Sequence, residues 1–289
     1  MLQAIIFGVL TGSILAVATV GFAMVRQTQG FLNIAHGQYL ALGAYLGLLF
    51  ADGLGMNIFL AALLAVLAVG AIGAALAWLV FIPVRRSGAL VLFFSSIGLA
   101  YAIYGIMRIV FEPGVQTYPV DFGRRFEIGS ASITAGELVV IGTAAVSVAG
   151  LHLFVTRTRF GHWIRAVASN PDLASVRGVP PALVSTLIWF IASGLGALAG
   201  ILVGTVGSVH SEIGWAYILT VLAAAVVGGV GSVYGVIVAG VLLGVVMEMS
   251  TLVLPTQYRL SVAFVAIIVT LLLRPQGLFS VARRREEIA

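Results

Sequence analysis

Apolar runs follow one another along the whole chain, broken by short polar stretches. A bilayer span takes roughly 20 mainly apolar residues. Runs of that kind lie at 2–25, 34–51, 58–82, 90–111, 136–155, 183–205, 215–229, 233–254 and 258–273. The pattern predicts an all-α polytopic bundle of about eight or nine transmembrane helices. The seventh run is short and rich in Ala and Gly, so it reads equally as a re-entrant piece. No Ser/Gly/Pro-rich linker divides the chain, and residues 1–289 read as one integral membrane domain. The first run has no basic segment before it, and Arg26 follows it, which reads as a retained span.

Arginine sets the expected orientation. With the N-terminus outside, Arg26, Arg85, Arg86, Arg157, Arg159, Arg165, Arg177, Arg274, Arg283, Arg284 and Arg285 fall inside. Only Arg108, Arg124, Arg125 and Arg259 fall outside. Cytoplasmic loops carry the excess of basic residues, so this choice and nine crossings agree, with the C-terminus cytoplasmic.

Composition removes whole classes of function. The 289 residues are 61% hydrophobic and only 9% charged, with a mean hydropathy of +1.15. A soluble globule cannot cover its surface from such a supply. There is no Cys, hence no disulfide, thiolate nucleophile or Cys-held metal. All basic residues are Arg. Without Lys the chain has no Walker A phosphate loop, so nucleotide energy has to come from a partner. The net charge of +5 fits loops facing anionic lipid and not nucleic acid. His36, His152, His162 and His210 show no metal-ligand spacing, and no triad or carboxylate pair falls on one span; neither an enzyme nor a resident cofactor is expected.

Three polar segments and one acidic residue interrupt the apolar pattern. The inside segment 156–182 holds Phe160, Trp163, Ile164 and Val167 on one helical face. Asn170, held extended by Pro171, can cap a second short helix, and Gly178 can end it. This loop is either an interfacial helix on lipid or a docking element for a cytoplasmic partner. The segment 30–45 sets Asn33, His36, Gly37 and Gln38 at the start of span two. Asn33 reads either as an N-cap or as part of a broken helix lining a pathway. The outer loop 112–135 carries the alternating stretch FEIGSASIT, which predicts a small hairpin centred on Gly129-Ser130. Glu248 is an acidic residue deep in an apolar run, where a charge costs about 2.5–3.5 kcal/mol or more.

Small residues recur at helix-packing intervals. Gly43/Gly47 and Gly196/Gly200 are spaced by four, and Gly228, Gly229, Gly231, Ser232 and Gly235 form a tight turn. Such residues let backbones approach in lipid. An interruption near 28–37 and another near 206–215 hint at an inverted internal repeat.

Four segments together resemble the permease subunits of branched-chain amino acid ABC importers, the LivH type: FLNIAHGQYLALGAY at 31–45, TRFGHWIRAVASNPDLASVRGV at 158–179, GGVGSVYGVIVAG at 228–240 and RPQGLF at 274–279. The resemblance runs through both halves of the chain. It implies an ABC importer permease fold in a bacterial cytoplasmic (inner) membrane. It also implies a second permease subunit, two ATP-binding subunits and a periplasmic solute-binding protein. The loop at 157–178 would be the ATPase-coupling element, with Arg157, Arg159, Phe160, Gly161, Trp163, Ile164, Arg165, Ala166, Asn170, Pro171 and Gly178 forming it. Phe160 to Val167 would be the surface inserted into the ATPase. Asn33, His36, Gly37, Gln38, Ser95, Ser96 and Glu248 are the expected translocation path. Relatives carrying urea, short amides or another small solute keep a second substrate class open. A proton-coupled secondary transporter using Glu248, and a membrane scaffold, are the readings from other classes.

Overall fold

The apolar runs form helices wherever the backbone must satisfy its own hydrogen bonds in lipid. The chain is described here by a computed structural model that covers residues 1–111, 114–120, 123–129, 131–229 and 232–279. In chain order the helices are α1 (Leu2–Gln29), α2 (His36–Leu48), α3 (Ile58–Leu76), α4 (Ile82–Val84), α5 (Ala89–Val110), α6 (Ala135–Arg157), α7 (Arg159–Ser169), α8 (Pro171–Val176), α9 (Pro181–Val206), α10 (Ile213–Gly228), α11 (Val233–Ser250) and α12 (Arg259–Leu273). One wider π turn, Leu49–Gly53, extends α2; a second, Ala77–Phe81, joins α3 to α4. Between α5 and α6 stands the antiparallel hairpin of β1 (Arg125–Ile128) and β2 (Ala131–Thr134), with Phe126 opposite Ile133. Gly129 sits at its tip with φ 61.

Helix directions follow from which residues meet. Gly8 packs on Val245 and Gly12 on Val241, so α1 and α11 run antiparallel. Val66 meets Gly194, Gly70 meets Phe190 and Trp78 Nε1 donates to Thr186 Oγ1, so α3 and α9 do the same. Gly43 lies on Ala197 and Gly47 on Ile201, so α2 and α9 run parallel. At one face, the Gln3 side chain exchanges bonds of 3.0 and 2.9 Å with the Ser132 backbone, placing the start of α1 beside the hairpin. The opposite face carries α7 and α8, and there the Leu278 N–H donates to the Val227 carbonyl at 2.9 Å. The first and last described residues therefore lie on opposite faces, as an odd number of crossings requires.

Among the described residues, seven helices are long and apolar enough to cross a membrane unaided. Two shorter ones, α2 and α10, begin inside the body, next to each other at Gly37 and Gly214. The run at 215–229 is thus a helix reaching one face and not a re-entrant loop. Run two begins with a folded-back loop over residues 30–35 before α2.

The halves correspond. A long helix (α1 or α9), a break of a few residues and a short helix starting in the interior (α2 or α10) occur twice. The first long helix packs on α11 of the second half, and the second packs on α3 of the first. Strand-like exchange of this kind interlocks the two halves around the α1–α9 crossing. Helix α6 stands outside this pattern and is wrapped little by the body, as is α12.

Small residues hold the crossings. A Cβ on Gly200 would overlap the Leu40 carbonyl, and one on Gly12 or Gly244 would overlap the other's helix backbone. Gly228 and Gly235 face each other across the α10–α11 turn, where Ser232 caps α11 by accepting from the Gly235 N–H at 3.0 Å. Gly229 sits at φ 89 against Gly277. Gly231, Ser130 and the 283–285 arginine cluster lie outside the described residues.

Gly200→Leu is expected to lower stability by more than the ~1–3 kcal/mol usual for overpacking, because it meets backbone and not a movable side chain. Gly142→Leu, where nothing lies within 4 Å, should be close to neutral. Thermal unfolding of the two variants in detergent checks the contrast.

Candidate functional site

Two places concentrate polar groups: a buried junction where α2 begins, and a two-helix platform on the face opposite the hairpin.

The junction is made by the chain turning back on itself. Gly30 ends α1 at φ 80, its N–H donating to the Arg26 carbonyl at 3.1 Å. Phe31 then anchors in an aromatic cluster with Phe81 and Trp189, the last two stacked at 4.7 Å. The Ile34 N–H donates to Ser96 Oγ at 3.1 Å, and Ser96 donates to the Phe93 carbonyl at 2.7 Å. His36 Nε2 lies 2.9 Å from the Ala18 carbonyl; that partner only accepts, so Nε2 carries the proton. Asn33, His36, Gln38 and Ser96 are all at most 1% exposed.

These groups are not fully satisfied. Both amide atoms of Asn33, both of Gln38, His36 Nδ1 and the Tyr39 hydroxyl are buried with no hydrogen-bond partner. A buried polar group left so costs about 1–3 kcal/mol. Gly37 and Gly214 press together beside the Gln38 amide, leaving no room for a Cβ on either. Asn33 is therefore not the helix cap: Ala35 occupies that position, and no side chain caps α2. Ser95 is half-buried and points about 100° away from Ser96 around α5, off the junction.

Glu248 lies elsewhere. It sits two residues before the end of α11, on the hairpin side, and not at mid-span. There it accepts from Thr11 Oγ1 at 3.1 Å and pairs with Arg259 at 2.5 Å. Glu248 is buried while Arg259 is 42% exposed, so the pair ties α1, α11 and α12 at the rim of the bundle. On α1, Thr11 is about 10 Å along the axis from Ala18, which separates this pair from the junction. A carboxylate already neutralised by arginine is poorly placed as a proton carrier, and the secondary-transporter reading loses its support.

The platform is built by caps. Thr158 accepts from the Gly161 N–H at 3.1 Å and starts α7 one residue after α6 ends at Arg157. Gly161 is required there, since a Cβ would strike the Phe154 and Val155 carbonyls. Asn170 accepts from the Leu173 N–H at 2.9 Å, Pro171 opens α8, and Gly178 follows it at φ 80. Arg165 donates to the Val155 carbonyl at 2.9 Å. The face from Phe160 to Val167 divides. Ile164 and Val167 are buried in this chain's own core, and Trp163 and Ala166 are half-buried. What α7 presents outward is Arg159, Phe160, His162, Arg165 and Ser169. Phe160 leans edge-on against Trp163 with centroids 5.2 Å apart.

One feature has no trace in the spacing. His152 Nδ1 of α6 and the Tyr234 hydroxyl of α11 are 2.7 Å apart across 82 residues of sequence.

A bundle of apolar helices with paired interior breaks defines a polytopic membrane protein whose halves are built alike. Residues 4–273 match the family described as branched-chain amino acid transport system / permease component, and the chain belongs to that family. It is 30% identical to the High-affinity branched-chain amino acid transport system permease protein LivH of Salmonella typhimurium, over 96% of this chain and 94% of that one. It is 27% identical to the corresponding BraD of Pseudomonas aeruginosa, over 96% and 95%. The Galactose/methyl galactoside import permease protein MglC of Salmonella typhimurium is 29% identical over 54% of this chain and 48% of its own. Among solved structures, PsaBC from Streptococcus pneumoniae in complex with Fab shares the fold at a TM-score of 0.50 and 13% identity, covering 95% and 92%.

Glu248→Ala is expected to destabilise the bundle by about 1–3 kcal/mol, less than the loss of a fully buried pair because Arg259 is partly solvated. Adding Arg259→Gln should recover part of that loss. A double-mutant cycle on melting temperature reads the coupling.

Proposed function

We propose that this chain is one transmembrane subunit of an ATP-driven importer for branched-chain amino acids, working beside a second permease, two ATP-binding subunits and an extracytoplasmic solute-binding protein. The observation that carries the reading is the capped α7–α8 platform, which presents an exposed Phe160 ringed by Arg159, His162 and Arg165 on the arginine-rich side of a permease-family bundle. The substrate class in the names of LivH and BraD supports that choice of solute. The lack of Lys, and so of a phosphate-binding loop, supports hydrolysis by a partner. The arginine distribution supports a bacterial cytoplasmic membrane setting with the platform in the cytoplasm and the N-terminus outside. Residues 1–289 act as a single transmembrane domain.

In this mechanism Phe160 and its polar rim seat in a cleft of the ATPase. Closure of the ATPase pair on nucleotide displaces α7. Two connections take the displacement into the bundle: α6, through the single-residue turn at Thr158, and α9, through the short link after α8. The long helices α1 and α9 cross next to the junction, so a shift between the interlocked halves alters the packing at Gly37 and Gly214. The unsatisfied amides of Asn33 and Gln38, with His36 and Ser96, are closed off in the conformation described. They become useful when the halves separate and a zwitterionic solute or water can bond them. The driving free energy is the difference in ATPase and substrate affinity between the two arrangements.

Phe160→Asp should cut ATP-driven uptake in reconstituted vesicles by about tenfold or more, as loss of an anchoring aromatic does, with membrane insertion unchanged. Full uptake by that variant, or accumulation by this chain alone without nucleotide, would overturn the reading. Gln38→Met should raise thermal stability by about 1–3 kcal/mol, since it removes two unsatisfied buried atoms, while slowing uptake.

A further inference from the structure

Two clefts run into each other along α6 on the platform side. The first, about 280 Å³, lies under α7 and is walled by Gln27 and Thr28 of α1, Leu151 and Val155 of α6, and Ile164 and Arg165 of α7. The second, about 640 Å³, opens sideways between α1, α6 and α11, past Ala16, Ala144, Ala149 and Val241. Val148, His152, Tyr234 and Ile237 line both, so the two form one track. The hydrogen-bonded His152–Tyr234 pair lies where they join.

The dimensions and chemistry of the track are specific. Between Ala144 and Val155 it follows about 16 Å of helix at 1.5 Å per residue. That is about half of the ~30 Å hydrocarbon core, or one leaflet. Its length is almost wholly apolar and lies open at the side of the bundle. Its platform end is not apolar: Gln27 Nε2 is a buried donor with no partner. Arg165 closes the same end, with one guanidinium nitrogen on the Val155 carbonyl. An unpaired buried donor and a cation at the mouth of a leaflet-deep apolar track call for an acceptor carrying negative charge on an acyl tail.

We propose that the track holds an anionic phospholipid. One acyl chain lies between α1, α6 and α11, and the phosphate bonds Gln27 Nε2 and Arg165. The His152–Tyr234 pair sits at the depth of the ester linkages. The headgroup is then wedged under α7, so the composition of that leaflet bears on how the platform is held. The proposal needs only this chain in a bilayer and stands apart from the importer reading.

The test uses the chain with whatever subunits accompany it. It is reconstituted into vesicles of phosphatidylcholine with or without phosphatidylglycerol, gently extracted, and weighed intact by native mass spectrometry. Wild type should retain phosphatidylglycerol in preference to phosphatidylcholine. Gln27→Leu should weaken that preference about tenfold, as loss of a hydrogen bond to a charged group does. Val148→Trp, filling the track, should abolish retention of either lipid. Both variants should unfold at temperatures near wild type. Equal retention of the two lipids by wild type, or an unchanged preference in Gln27→Leu, would overturn the proposal. So would a photo-crosslinker at position 27 that captures a peptide of another subunit or copy instead of lipid.

Discussion

Everything in this bundle depends on how closely helix backbones approach one another. In lipid there is no hydrophobic gain from burying one leucine against another, because the surrounding tails are equally apolar. What remains is van der Waals contact, and that falls off steeply with a gap of even half an ångström or so. Glycine removes the gap. The α1–α11 seam through Gly8, Gly12, Gly240 and Gly244, and the α2–α9 seam through Gly43 and Gly200, bring main chain directly onto main chain. The same approach that secures the bundle also leaves it few ways to move: the seams shift as rigid rows or not at all.

The interior breaks are the counterpart of that tightness. A helix that starts inside an apolar body exposes polar backbone, and the chain answers with a short list of local partners. Ser96 takes the Ile34 amide, the Ala18 carbonyl takes the His36 ring, and the first turn of α2 closes on itself through Asn33, Ile34 and Ala35. The answer is incomplete, and the remainder is the set of buried amides on Asn33 and Gln38. That remainder is the reason the proposed path runs through the junction and not through the ion pair at Glu248. On the hairpin side, by contrast, the described loop residues are tied at two points: Gln116 and Val209 exchange backbone bonds of 2.9 and 2.8 Å, and the Tyr118 hydroxyl donates to the Ala44 carbonyl at 2.7 Å. Burial pushes that phenol above its ordinary pKa, so it stays a donor.

Much of this was legible in the sequence, and the limits have a common cause. Spans read well because their length is dictated by the bilayer. The second half of the platform read well because Asn170, Pro171 and Gly178 act through local backbone geometry, whereas the Thr158 cap of α7 did not read. The hairpin read from alternation alone. Which side of a helix faces the core did not read, since lipid-facing and core-facing positions are both apolar and no periodicity separates them. Ile164 and Val167 looked like an outward face for the same reason: amphipathicity marks the apolar side of α7 without saying whose surface it meets. Asn33 has the type and position of a cap, and only the fold-back of residues 30–35 takes it away from the helix start. Glu248 looked stranded mid-run because Arg259 lies beyond a turn, where α12 brings it back.

The exchange of packing partners between the halves has a consequence for how the protein is made. Helix α1 leaves the ribosome long before its main neighbour, α11. Thr11 and Glu248, which touch in the finished protein, are 237 residues apart. At ~5–20 residues per second of synthesis, α1 waits on the order of 10–50 seconds in the bilayer with its glycine row uncovered. During that interval it is exposed to any other small-residue helix nearby, and membrane insertion factors are the natural custodians of so long a delay.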